Sequence, residues 1–295
     1  MEQKEISHKP ANRLRKKRPS DNTDRNPSQI ETLRVVREFE RGERATDCML
    51  AKAASPWTTY EKIFTVNLGE NETMMIAERR GISGDVVAIR LFALADASTK
   101  MEVIRSIQHP SFVTAHEIYQ FKGKHYVVYE HMARSLQDVV GNPYLNDDRL
   151  AAITGQIVEG LHYLEKRRLH HGRLSSSQVL LHPNGNVKIY SQEHCVSPSS
   201  SKDIKDLGYI MMELMQGYVK ESPHVGLDEP GRWSPNAVSF LSVTTSASST
   251  DELLKHPFLC SWQKKKLRGL FFLVMTWSRL DYEYIGWQNE DEALL

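Results

Sequence analysis

The sequence predicts an α+β fold made of a small strand-rich lobe followed by a larger, mainly helical one, and three observations carry that prediction. Between Tyr60 and Tyr129 short apolar or alternating runs recur, separated by turn signals. From Asp148 onward, apolar residues repeat at helical spacing instead. The composition, 40% hydrophobic and 25% charged, is that of a globular chain with enough apolar side chains for a core.

Residues 1–27 concentrate Lys, Arg, Asn, Asp, Pro and Ser with almost no aliphatic side chains. Such a composition does not offset the entropy of ordering, so a disordered basic tail is expected. Its cluster at 13–19 fits either a nuclear-import signal or a solubilising tail. Ser28 with Glu31 forms a capping signal, and Ile30, Leu33, Val36 and Phe39 follow at near-helical spacing, which predicts a helical N-terminal extension over 28–59. Strands are expected at 63–68, 73–77, 86–92, 112–118 and 125–129, with turns at 81–84 and 122–124; they make up a small antiparallel lobe, 60–132. The large lobe, 133–259, holds two amphipathic stripes: Leu150, Ile153, Ile157, Leu161 and Leu164, then Leu207, Ile210, Met211 and Leu214. A C-terminal extension, 260–295, is basic at 262–268, apolar at 270–277 and acidic at its end. The segment 262–277 has two readings, a helix packed on the large lobe or a peripheral contact with anionic membrane.

The formal net charge of +1 gives no global attraction to nucleic acid, and none is expected as a partner. Cys48, Cys195 and Cys260 are odd in number and far apart, with no C-x-x-C pair, which predicts a reducing compartment and no structural zinc. The N-terminus lacks the apolar stretch of a secretory signal. The longest apolar run, 270–277, falls far short of the roughly 20 residues of a membrane span. An intracellular protein, cytoplasmic or nuclear, without a transmembrane segment is expected.

Several short motifs lie in order within this frame. Val87-Ala88-Ile89-Arg90 sits on an expected strand; Ile104 to Pro110 ends a short helix; His171-Gly172-Arg173-Leu174 leads to Gln178-Val179-Leu180-Leu181. Asp203-Ile204-Lys205-Asp206-Leu207-Gly208 opens the second large-lobe stripe, and Leu253 to Leu259 closes the segment. In this order, residues 60–259 resemble the eukaryotic protein kinase domain, with the V-A-I-K strand, the H-R-D-L-x-x-x-N catalytic loop and the central helix of the large lobe as counterparts.

That resemblance also implies which residues phosphoryl transfer would need: a glycine-rich loop over the phosphates, a Lys–Glu pair, two metal-holding residues and a carboxylate that orients the hydroxyl. The loop keeps Gly69 alone of its three glycines and brings Glu70 and Glu72 where phosphates would sit. Arg90 replaces the Lys, and the helix position that should carry its Glu partner is Lys100, so two cations would face each other and no active ion pair forms unless Glu102 substitutes from a different helical face; the alternative is that Arg90 and Lys100 both point into solvent. Arg173 replaces the catalytic Asp, and a guanidinium has donors only and accepts no proton. Gln178 and Ser191 replace the two metal ligands; magnesium favours carboxylate oxygens, leaving Glu193 as the one nearby acid for a rearranged site. Only His194 to Lys202 separates that position from the central helix, too short for a peptide-binding platform, and its serines make either a phosphosite cluster or a plain connector.

Packing positions are better kept than chemical ones. By the resemblance, Ile76, Ala88 and Leu180 would sandwich an adenine, Glu130 and Met132 would lie at its edge, and Tyr129 would narrow an apolar slot that persists between the lobes. Asp203 would hold the backbone of the catalytic loop. The set implied for a retained nucleotide is Gly69, Ile76, Ala88, Arg90, Glu130, Met132 and Leu180; no resident cofactor is expected, ATP being the one candidate ligand and no magnesium site being provided. The expected function is that of a pseudokinase, catalytically inactive and acting as a protein-binding, scaffolding or allosteric signalling module, with an active kinase as a candidate partner. The alternative is a divergent Ser/Thr kinase that uses non-standard residues.

Overall fold

The computed structural model describes residues 27–42, 49–68, 72–93, 97–198, 200–218 and 224–277. The basic tail, Cys48, Gly69, Glu70, Ser199 and the acidic end therefore lie outside the described residues.

The first element is a helix, α1 (Pro27–Gly42), which begins at the capping signal read from the sequence. Its Leu33, Val35 and Val36 are buried, and Val35 and Val36 share a core cluster with Val103 and Ile107. The extension over 28–59 is not helical throughout. Ala51–Lys52 forms a short strand, β1, that pairs parallel with a later strand of the small lobe, and Pro56–Thr58 is a single 3-10 turn capped by Ser55. A two-residue strand leaves too little periodicity to be read from sequence.

The small lobe continues with β2 (Tyr60–Leu68), β3 (Glu72–Arg79) and β4 (Val86–Phe92), then a helix, α2 (Ala97–Ser106), then β5 (Ala115–Phe121) and β6 (Lys124–Glu130). Its six strands run in the order β1-β5-β6-β4-β3-β2, and every pair except β1 with β5 is antiparallel. The expected strand at 112–118 starts three residues late. Phe112 instead bridges to Ile189 of the large lobe, because its ring belongs to that lobe's core.

A small three-stranded sheet, β7 (Arg134–Ser135), β8 (Val179–Leu181) and β9 (Val187–Ile189), stands between the lobes. The large lobe is built on α3 (Asp147–Lys166), whose N-terminus is capped by Asn146 and lined by Asp147 and Asp148, where carboxylates favour the helix dipole. It continues through α4 (Lys202–Gln216), α5 (Pro235–Val243) and α6 (Thr250–Leu254). The stripes on α3 and α4 are buried together in one core. The C-terminal segment forms α7 (Arg268–Trp277), and Leu267, Leu270, Phe271 and Val274 join that same core. Trp262 packs so closely on Gly155 of α3 that a Cβ there would come within 2.5 Å of its ring. Among the described residues no helix is long and apolar enough to cross a membrane.

Candidate functional site

The β3 strand alternates, and Glu72, Met74 and Ile76 all face inward. A carboxylate buried in that row needs a cationic partner, and the neighbouring strand supplies it: Arg90 of β4 lies opposite Met74 in the register. The Arg90 guanidinium pairs with Glu72 at 3.3 Å and with Glu193 at 2.5 Å. The three side chains are 14%, 9% and 1% exposed, respectively. One guanidinium nitrogen also reaches the Tyr190 hydroxyl at 3.1 Å, and the guanidinium stacks over the rings of Phe92 and Tyr190.

This arrangement corrects the sequence expectation for Arg90. It neither faces Lys100 nor points into solvent. Lys100 sits half-buried on α2, and the strand geometry offers Arg90 two closer carboxylates. Burial alone would depress the Arg90 pKa; Tyr190, Glu193 and Glu72 outweigh it and raise the value further. Burial would raise Glu72, but the His194 ring 3.5 Å away, the charge of Arg90 and the Ser191 hydroxyl hold it below the ordinary carboxylate range.

Ser191 occupies the first metal position of the resemblance. Its hydroxyl donates to Glu72 at 2.8 Å, and its backbone is left-handed, φ 63°, an uncommon conformation for a residue other than glycine. Gln178, at the other metal position, accepts the Tyr190 amide with its carbonyl at 2.8 Å, while its side-chain Oε1 is buried without a hydrogen-bond partner. The candidate metal donors among the described residues are Glu72, Glu193 and His194, whose ligating atoms lie within 4.8 Å of one another. Arg90 already places a positive charge on both of those carboxylates, so a divalent ion would compete with the guanidinium for them.

The catalytic-loop counterpart is well ordered by its contacts. Asp203, at the start of α4, accepts the backbone amides of His171 at 2.6 Å and Gly172 at 3.0 Å. His171 is fully buried, with Nε2 2.7 Å from the Tyr190 carbonyl, and burial lowers its pKa. His170 and Val196 exchange both backbone hydrogen bonds, which ties the loop to the short segment before α4. The next residue in that segment, Ser197, donates its amide to the Thr32 hydroxyl of α1 at 2.8 Å. Arg173 is exposed, and it presents donors where a proton acceptor would be needed.

The interlobe slot is filled. Ile76, Ala88, Met132 and Leu180 form one cluster with Met74, Tyr129 and Tyr190, and each is at most 6% exposed. Tyr129 and Tyr190 meet edge to face with ring centroids 5.6 Å apart, and the Tyr190 hydroxyl donates to the Met74 sulfur at 3.1 Å. The open slot expected from sequence is thus occupied by side chains, chiefly Tyr190, which the motif reading passed over although it directly precedes Ser191. Glu130 is engaged as well: it accepts the Thr114 amide at 2.6 Å and forms an ion pair with Lys188 of β9. Of the residues implied for a nucleotide, the structure brings together Ile76, Ala88, Met132 and Leu180, gives Arg90 and Glu130 other partners, and leaves Gly69 undescribed.

Comparison with known proteins agrees with this layout. Residues 92–192 match the family described as protein tyrosine and serine/threonine kinase. Among similar proteins, serine/threonine-protein kinase max-2 of Caenorhabditis elegans is 25% identical over 278 residues, covering 76% of this chain and 42% of that protein. Serine/threonine-protein kinase pak-1 of the same organism is 25% identical over 281 residues, with 77% and 48% covered. NUAK family SNF1-like kinase 2 of Rattus norvegicus is 26% identical over 204 residues, with 61% and 30% covered. The chain thus spans less than half the length of these relatives. With two lobes joined at a catalytic-loop counterpart that Asp203 holds in place, the layout is that of a protein kinase, and these matches along it support membership of the protein kinase superfamily.

Proposed function

We propose that this protein is a pseudokinase, a kinase-like domain that does not transfer phosphate and acts as a protein-binding, scaffolding or allosteric signalling module. The observation that carries the proposal is the pairing of Arg90 with Glu72 and Glu193. Phosphoryl transfer uses a cation held by one helix carboxylate and still able to reach phosphate oxygens, whereas here two buried carboxylates hold Arg90, Glu72 from the strand that would cover the phosphates and Glu193 from the turn where a metal would sit. Glu72 would also repel an incoming triphosphate. Arg173 adds the second deficit, since no carboxylate stands where the acceptor hydroxyl would lose its proton. The filled slot supports at most weak ATP binding, because an adenine would have to part Tyr129 and Tyr190 from the side chains around them. The proposed partner is another protein, of which an active kinase is the favoured kind, and the proposed setting is intracellular, cytoplasmic or nuclear.

Two observations favour a second reading, a divergent Ser/Thr kinase. Glu72, Glu193 and His194 are grouped closely enough to ligate a metal, and the relatives bear the names of serine/threonine kinases. Thermal-shift titration with ATP, with and without magnesium or manganese, followed by a radiolabelled transfer assay, separates the two. The pseudokinase reading expects no metal-dependent stabilisation and no incorporation. Incorporation that Glu193→Ala abolishes would overturn it.

A further inference from the structure

The segment from Lys264 to Met275 is held on the large lobe by one face and leaves a second face open. Leu267, Leu270, Phe271 and Val274 are buried against the lobe. The opposite stripe of α7 carries Arg268, Phe272, Met275 and Thr276, neighbours at i, i+3 and i+4 spacing. Phe272 is 64% exposed and Met275 38%, two large apolar side chains that the docked helix cannot fold back into the core. At the N-terminal end of the stripe the charge is strongly positive. Lys264, Lys265, Lys266 and Arg268 follow one another, and the guanidinium of Arg149 lies beside Gly269. Among the described residues, Asp148 near these cations pairs with Lys266 at 2.8 Å, and Asp147 accepts the amide and hydroxyl of Ser234. The turn contacts the loop before β9, where Lys264 donates to the Asn186 side chain and Arg268 to the Asn184 carbonyl.

We propose that this face of α7, with the lysine turn before it, docks on an anionic lipid surface. Cations beside a projecting aromatic ring match the two layers of such a surface: headgroup phosphates and carboxylates attract the cations, and the acyl boundary receives the ring. An acidic protein would satisfy the charges but would need a fitted cavity for Phe272. The proposal is independent of whether the kinase-like site is active.

The test is sedimentation of the full chain with phosphatidylcholine vesicles, with and without phosphatidylserine. Binding is expected only with phosphatidylserine. Lys265→Glu/Arg268→Glu should lower the partition coefficient by about tenfold or more, since each basic residue near the surface contributes on the order of a fivefold factor. Phe272→Ala should weaken binding severalfold. All three side chains are exposed, and unchanged thermal unfolding of the variants verifies that they are folded. Failure of the unsubstituted chain to bind overturns the proposal. So does binding that survives the double charge reversal, which would move it to the basic cluster at 13–19. Retention on polyglutamate without vesicle binding overturns it in favour of an acidic protein.

Discussion

The guanidinium of Arg90 and the carboxylate of Glu193 meet at 2.5 Å across the junction of the lobes, Arg90 from β4 and Glu193 from the turn after β9. Together with Glu72 they form a charge cluster that joins the small lobe to the large one without a nucleotide. Burying such groups costs each its hydration, so the net gain of the intact cluster is small. Losing one member is a different matter, since it strands buried charge.

Arg90→Leu should therefore lower the unfolding free energy by about 3–5 kcal/mol. The variant that also carries Glu72→Gln and Glu193→Gln should recover much of that loss. Urea denaturation of the two variants measures both. A loss below about 1 kcal/mol in the single variant would mean that the pair is solvated like a surface ion pair.

Asp203 holds the amides of His171 and Gly172 through a charged carboxylate. In Asp203→Asn one oxygen becomes an NH2 that faces an amide donor. The expected loss is on the order of 2 kcal/mol, with faster hydrogen exchange at His171 and Gly172 than at distant amides of α3.

Stability should fall with acid in two steps. Burial depresses the pKa of His171, so the unfolded chain takes up its proton first; this contribution is full above about 6.5 and diminishes as the pH drops below it. Glu72 and Glu130 are held low despite burial, by hydrogen bonds and cations, so their contribution is full above the ordinary value near 4.5 and is lost as the pH falls through their lowered folded values. Melting temperature followed from pH 8 to about 3 should show both descents. Glu72→Gln should flatten the lower one, and His171→Asn the upper.

Arg173→Asp alone should not start phosphoryl transfer. It restores a proton acceptor, yet Gln178 and Ser191 still supply no carboxylate for magnesium, and Arg90 remains tied to Glu72 and Glu193. The readout is radiolabel incorporation into a generic protein substrate. Measurable transfer by this variant would show that the metal positions are not limiting.

Much of the fold was legible because the periodicity of side chains records which face is buried. The stripes on α3 and α4 and the alternation of β3 led to the right elements, and the motif order led to the family. The Asp203 contact was also readable, through the resemblance. Glu72 was recognised as a charge near the phosphate position, but its partner was not. Helical counting pointed Arg90 toward Lys100, whereas the ion pairs run to β3 and to the turn after β9, 18 residues before Arg90 and 103 after it. An inward-facing Glu in the alternating row Glu72, Met74, Ile76 was the available sign that a buried cation had to be near.

The sequence by itself determined the two-lobed fold and the residue types, Arg173, Gln178 and Ser191, at the positions that the resemblance marks, since these depend on residue type and local pattern. Only the tertiary structure decided that Arg90 is neutralised from within, that Tyr190 fills the slot beside Tyr129, and that α1 reaches Ser197 through Thr32. The reason is physical: side-chain chemistry is local to one position, whereas a buried charge or ring takes its partners from whatever the packing brings within a few ångströms, and those partners are distant along the chain.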